Sequence, residues 1–300
     1  ASDETRLRVV TTIFPEYDWV REILGDKADN AEVTMLLDNG ADLHSYQPTA
    51  DDIVKISECD LFIYVGGESD DWVDDALKNA ANKNMKVVNL LEALGERVKT
   101  EEVVEGMQEE EHDHDHDHEG ESEMEYDEHI WTSPVIAKDL LYVTRDAIIQ
   151  ADPANAATYQ KNADAYAAQL DALNESFTDY FAEPEHRTLL FADKFPLQYF
   201  ANTYGLHCYA AFSGCSSDTE PSIATISNLM HLVESDHLSK VYYLEVSSPA
   251  VANVIGEQTG ATPTVFQSCH TLTQTDFDNG ETYVSLMQRN LKALESQSAH

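Results

Sequence analysis

Positive charge is scarce in this sequence. Eighteen Lys and Arg stand against 56 Asp and Glu, a formal net charge of -38 over 300 residues. A surface of that sign repels phosphate backbones and anionic lipid, which excludes nucleic-acid binding and polybasic membrane docking, and it attracts cations. No apolar run reaches the roughly 18 residues that a membrane span requires. The chain opens Ala1-Ser2-Asp3 without a charged or apolar leader, so a secretion signal is expected to have been removed or never to have existed. Gly (12) and Pro (9) are too few for collagen-like or generally disordered sequence. Nucleophile and phosphate signatures are also missing: there is no G-x-S-x-G, S-x-x-K, H-E-x-x-H, P-loop or G-x-G-x-x-G. The four cysteines form no C-x-x-C pair. Cys59 and Cys208 sit in apolar, strand-like runs and read as buried thiols, whereas Cys215 and Cys269 are flanked by Gly, Ser and His in loop-like stretches.

What is present is an alternation of short apolar strands and amphipathic helices. Leu7–Phe14, Glu32–Leu36, Leu61–Val65 and Met85–Leu90 are strand candidates in the first third, and helical stretches lie between them. Continuous apolar strands of this length are those of a parallel sheet covered on both faces. Ser133-Pro134 predicts a helix start, a capping residue followed by proline at the first helical position. That helix runs to about Gln150, breaks at Asp152-Pro153, and continues from Ala154 to about Ala182. Tyr159, Ala163, Tyr166, Leu170, Leu173, Phe177 and Phe181 follow three- and four-residue steps along it, one face of a helix on the order of 40 Å long. After Pro184 the alternation resumes at Thr188–Ala192, His207–Phe212, Val241–Glu245 and Thr264–Phe266. The expected fold is α/β, with two lobes, each a parallel-type sheet flanked by helices, joined by one long backbone helix. The expected boundaries are an N-terminal lobe over 1–133, a linking helical segment over 134–183 and a C-terminal lobe over 184–300.

Residues 101–128 break the pattern: 15 of these 28 are Asp or Glu, four are His, and none is Lys or Arg. Such composition cannot offset chain entropy by burial, so the segment reads as a mobile loop. Within it, His112, His114, His116 and His118 alternate with aspartates. Imidazole and carboxylate in turn on a tether offer weak, interchangeable sites for a borderline cation. A purely solvating acidic loop would need no such histidines.

Three further histidines lie at the edges of α/β elements: His44 in Gly40-Ala41-Asp42-Leu43-His44-Ser45-Tyr46-Gln47-Pro48, His129 in His129-Ile130-Trp131-Thr132-Ser133-Pro134, and His270 in Ser268-Cys269-His270. They converge only if the two lobes face each other. The first two stretches resemble the two histidine motifs of the metal-binding substrate-binding proteins of ABC importers, the zinc/manganese, ZnuA-like cluster. The order of parts is similar too: lobe, His-rich acidic loop, second histidine, long helix, second lobe.

That resemblance, which covers essentially the whole chain, implies a two-lobed extracytoplasmic receptor, periplasmic or at the cell surface, and not an enzyme. It would hand a divalent ion to an ABC permease, act as a monomer, and be open to lipid anchoring through a removed N-terminal segment. It implies His44 and His129 as metal ligands. The remaining two family ligands are absent, since the chain reads Ala192-Asp193-Lys194-Phe195 where zinc members show His-Asp-Ala-Phe, and Ser268-Cys269-His270 near the usual aspartate loop. His270 is the first choice of replacement, with Asp193 second. Cys215 and Cys269 would pair as a disulfide between neighbouring loops, or, as the rival, supply a thiolate zinc site. Glu220 and Glu245 would accept hydrogen bonds from metal-bound imidazoles, or act as ordinary cap or ion-pair partners. Nitrogen donors favour Zn²⁺ over Mn²⁺. Two other readings stay open at this point: a secreted metalloenzyme with an open coordination position, and a metal-buffering surface adhesin.

Overall fold

The structure, a computed structural model, describes residues 6–38, 40–108, 125–216, 218 and 220–296. The N-terminal lobe runs β1 (Leu7–Thr11), α1 (Phe14–Leu24), β2 (Ala31–Met35), α2 (Ala50–Glu58), β3 (Leu61–Tyr64), α3 (Trp72–Lys78), β4 (Lys86–Asn89) and α4 (Leu90–Leu94). Two helices follow, α5 (Pro134–Ala151) and α6 (Ala156–Tyr180). The C-terminal lobe runs β5 (Thr188–Phe195), α7 (Gln198–Tyr204), β6 (His207–Ser213), α8 (Ile223–Ser235), β7 (Lys240–Leu244), α9 (Ala250–Thr259), β8 (Thr262–Phe266), α10 (Gln274–Asp278) and α11 (Tyr283–Glu295). The sheets are both parallel and four-stranded, ordered β2-β1-β3-β4 and β6-β5-β7-β8. The two-lobed α/β reading therefore holds. The long backbone helix is α6, which follows the expected break at Asp152-Pro153 and packs back against α5.

The apolar stripe of α6 does what its spacing requires. Tyr159, Ala163, Tyr166, Leu170, Leu173 and Phe177 are all buried, and at 1.5 Å per residue the helix spans about 38 Å. One core runs through both lobes along this stripe, from Val9, Trp19 and Phe62 to Phe191, Phe200 and Phe266. A smaller cluster, including Leu190, Tyr209, Leu229 and Ile255, fills the other face of the C-terminal sheet. Polar links cross between the lobes. The Trp131 indole N–H donates to the Ser268 carbonyl, the Phe14 amide donates to the His270 carbonyl, and Asp18 accepts from both the Tyr166 hydroxyl and the Tyr283 amide.

The acidic segment is not one mobile loop across 101–128. Glu101 N–H donates to the Glu125 carbonyl and Asp127 N–H to the Lys99 carbonyl, which ties its two ends together. Residues 105–108 lie along the edge strand β6, where Glu105 bridges Tyr209 and Gln108 N–H donates to the Ala211 carbonyl. Charge composition misled here because backbone pairing needs no apolar side chains. His112, His114, His116 and His118 lie outside the described residues.

Candidate metal centre

In parallel α/β sheets the loops beyond the carboxyl ends of the strands form the ligand crevice. Apart from Lys194, inside the last residues of β5, and those just ahead of α5, the residues of the centre sit in such loops. Asp42 opens a short 3-10 turn after β2 by accepting from the His44 amide at 3.0 Å. Gly66 to Asp70 follow β3, and Asp127 to His129 precede α5. Lys194 lies at the end of β5, Cys215 after β6, Glu245 after β7, and Ser268 and His270 after β8.

The imidazoles of His44 and His129 meet, with their Nε2 atoms 3.1 Å apart. Two nitrogens bound to one tetrahedral zinc, each at about 2.0–2.1 Å, would stand roughly 3.3 Å apart. The other ring nitrogens are already engaged. His129 Nδ1–H donates to Asp127 Oδ1 at 2.7 Å, and the same oxygen accepts from the His129 amide. His44 Nδ1 lies 2.9 Å from Ser69 Oγ, and the hydroxyl and amide of Ser69 both stabilise the Glu128 carboxylate. Gly67 has φ +81°, and a Cβ there would come within 2.5 Å of Glu128 Oε1, so only glycine lets this carboxylate lie over the turn.

His270 repeats the pattern from the second lobe. Ser268 Oγ–H donates to Glu245 Oε1 at 2.6 Å, which leaves Ser268 Oγ to accept from His270 Nδ1–H at 2.6 Å. This fixes the tautomer with the lone pair on Nε2, and that atom is buried without a hydrogen-bond partner among the described residues. Cys269, between them, takes the left-handed conformation (φ +64°), so Ser268 and His270 can face the centre while the Cys269 side chain turns into the core.

The third donor of the central group is Cys215. Its Sγ and the ring nitrogens of His44 and His129 all lie within 4.8 Å of one another. The expected Cys215–Cys269 disulfide is not formed. All four cysteines are free thiols, Cys269 being buried with its S–H toward the Gln267 carbonyl. Asp193 is not a donor here either. A bulge in β5 turns its carboxylate to the amides of Leu244 (2.9 Å) and Lys194 (2.7 Å). The bulge instead brings Lys194 to the centre, its Nζ 3.9 Å from Asp42 Oδ2. Glu220 is exposed ahead of α8, and among the described residues it has no hydrogen bond or ion pair with the histidines. Glu245 reaches His270 through Ser268.

Electrostatics separates the three imidazoles. Burial, with the neighbouring His129, lowers His44 to about 3, and burial likewise lowers His270 to about 4. Burial acts on His129 in the same direction, but the Asp127 carboxylate more than offsets it and the net shift is upward. Burial and the carboxylates of Glu101, Glu128 and Asp127 push the Cys215 thiol up. At neutral pH His44 and His270 are thus neutral nitrogen donors, while His129 holds its proton more tightly, and the carboxylates around all three attract a divalent ion.

Residues 9–297 match the family described as zinc-uptake complex component A, periplasmic. The chain belongs to this family. It is 33% identical over 290 residues to the zinc-binding lipoprotein AdcA of Streptococcus pneumoniae, covering 97% of this chain and 55% of that protein. It is 32% identical to the high-affinity zinc uptake system protein ZnuA of Bacillus subtilis, covering 97% and 87%. The chain thus spans little more than half of AdcA but most of the Bacillus protein. Among solved structures, the Zn(II)-bound ZnuA-like domain of S. pneumoniae AdcA superposes with a TM-score of 0.76 at 29% identity, covering 98% of this chain and 99% of that one. The B. subtilis metal-dependent lipoprotein YcdH gives 0.78 at 26% identity, covering 98% and 100%.

Asp127, Glu128, Ser69 and Ser268 escaped the sequence reading. The first two were hidden inside the acidic run, and the signal that could have found them is their adjacency to His129. The serines carry no sequence signal of their own.

Proposed function

We propose that this chain is the extracytoplasmic receptor of a zinc importer. It captures Zn²⁺ between its lobes and passes it to an ABC permease. The observation that carries the reading is the 3.1 Å approach of the His44 and His129 Nε2 atoms, each ring anchored through its other nitrogen. Imidazoles held this way are ordered metal ligands with outer partners in place. His270 Nε2, a buried lone pair without a hydrogen-bond partner among the described residues, lies outside the group of His44, His129 and Cys215 and would be brought in as a third nitrogen from the opposite lobe. The family description and the zinc-binding relatives support the same cargo. Nitrogen donors favour zinc over manganese, which prefers oxygen-rich shells. Because one core and several inter-lobe hydrogen bonds join the lobes, loading proceeds by local loop movement with little change in overall dimensions.

The test is zinc titration calorimetry against a competing chelator, on the unaltered protein, on His44→Ala, and on a variant lacking 109–124. That deletion spares the docked strand at 105–108 and the Asp127–Glu128 pair, which removing 101–128 would destroy. One tight site that survives the deletion and is lost with His44→Ala fits the receptor. Tight binding that disappears with the deletion alone would make the acidic His-rich segment the true site and the chain a metal buffer.

A further inference from the structure

The resemblance to the ZnuA-like family implied a histidine and an aspartate as the ligands beyond His44 and His129. The position of the missing histidine reads Ala192-Asp193-Lys194 here, and Asp193 is tied to backbone amides. We propose that Cys215 binds the transported ion as a thiolate, making the pocket a nitrogen–sulfur centre that takes zinc-like borderline ions and discriminates against manganese. This rests on the receptor reading above and specifies its donor set.

Three independent features carry it. The first is placement, since Cys215 Sγ lies within 4.8 Å of the ring nitrogens of both histidines. Zinc–sulfur and zinc–nitrogen bonds of about 2.3 and 2.0–2.1 Å need donors only roughly 1 Å closer than that limit. The second is how the loop is held. Cys215 N–H donates to Glu101 Oε1 at 3.0 Å, from the segment that the acidic run threads across to the second lobe. A Cβ at Gly214 would stand 3.0 Å from His129 Cε1 and 2.9 Å from the Phe195 carbonyl oxygen, so only glycine lets the loop pack this closely on the ligand ring. The third is His270 Nε2, buried, without a hydrogen-bond partner among the described residues and bearing the lone pair; it stands outside the group of His44, His129 and Cys215 and would join it as a fourth donor by local movement on binding.

Binding breaks the Cys215 S–H bond and forms a metal–sulfur bond. The proton leaves to water, and no electron is transferred. A closed set of three imidazoles and one thiolate is a tetrahedral zinc environment, and thiolate is a poor donor for manganese.

The test uses Co²⁺ as a spectroscopic stand-in for zinc in the whole chain, alongside Cys215→Ser. The expected result is a sulfur-to-cobalt charge-transfer band in the near ultraviolet for the unaltered protein. Cys215→Ser should lose the band while still binding Co²⁺ through its imidazoles. Its zinc affinity should fall by more than the roughly 10–100-fold typical of losing an outer partner. A second measurement needs no variant: zinc should protect Cys215 from alkylation, read by mass spectrometry of the labelled peptide, and manganese should not. Tight Co²⁺ and zinc binding without the band, or a band that persists in Cys215→Ser, overturns the thiolate and leaves the receptor standing. Absence of tight zinc binding to the unaltered protein overturns both.

Discussion

The two halves of the pocket carry the same device in different states of completion. In the N-terminal half the chain Glu128–Ser69–His44 orients one imidazole, and in the C-terminal half Glu245–Ser268–His270 orients another. The N-terminal half adds His129, locked by Asp127, so its two Nε2 atoms already stand at ligand spacing. The C-terminal half offers His270 Nε2 with no partner, and Cys215 on a loop. A carboxylate behind a ring nitrogen fixes both tautomer and direction. On the proposed donor set the first half, whose two rings already meet, would supply most of the affinity, and the second most of the choice of ion.

That division can be broken most forcefully at His129. His129→Ala should abolish tight zinc binding, because it removes a ligand and leaves Asp127 buried without its partner; chelator competition reads the loss. Acid should attack the same half first. His129 is the imidazole shifted upward, so its proton must leave before the ion can bind, whereas His270 and His44 stay neutral down to about 4 and about 3. Because binding also displaces the Cys215 proton, the affinity should fall by about tenfold per pH unit above the His129 pKa and by about a hundredfold per unit below it, two protons per ion, steepening further near pH 4. A titration series at stepped pH checks this, and a flat profile to pH 5 would contradict it.

Next in size is Asp127→Asn, expected to weaken zinc by roughly 10–100-fold while leaving the fold intact, since an amide no longer stabilises the bound ring. The paired serines sharpen the comparison further. Ser268→Ala should cost about tenfold, because Ser268 Oγ is the hydrogen-bond partner of the His270 ring, and Ser69→Ala should cost less, because the Glu128 carboxylate still lies 3.8 Å from His44 Nδ1. Equal losses would mean that the halves are equally prepared. The smallest effect should be a gain. Lys194 places an ammonium beside His44 and His270, so Lys194→Met should tighten zinc binding by on the order of 1 kcal/mol, the scale of a partly screened charge contact.

The alternation of apolar runs determined the eight strands, and the three- and four-residue steps from Tyr159 to Phe177 determined the buried face of α6. Both follow from local periodicity, which a chain expresses wherever it folds. The histidine-bearing loops were legible for the same reason, because ligand loops follow strand ends. Only the tertiary structure decided which donors meet. Asp193 is one position from Lys194, yet a bulge in β5 sends the first to backbone amides and the second toward the Asp42 carboxylate beside His44. Cys215 and Cys269 look alike in sequence, but left-handed backbone at Cys269 turns that thiol into the core while Gly214 lets Cys215 pack against His129. Asp127 and Glu128 end an acidic run that reads as solvent-exposed, but they are buried behind the histidines. Sequence determines which side chains can bind an ion; the crossing of two sheets, a bulge and one missing Cβ decide which of them come within bonding reach of it.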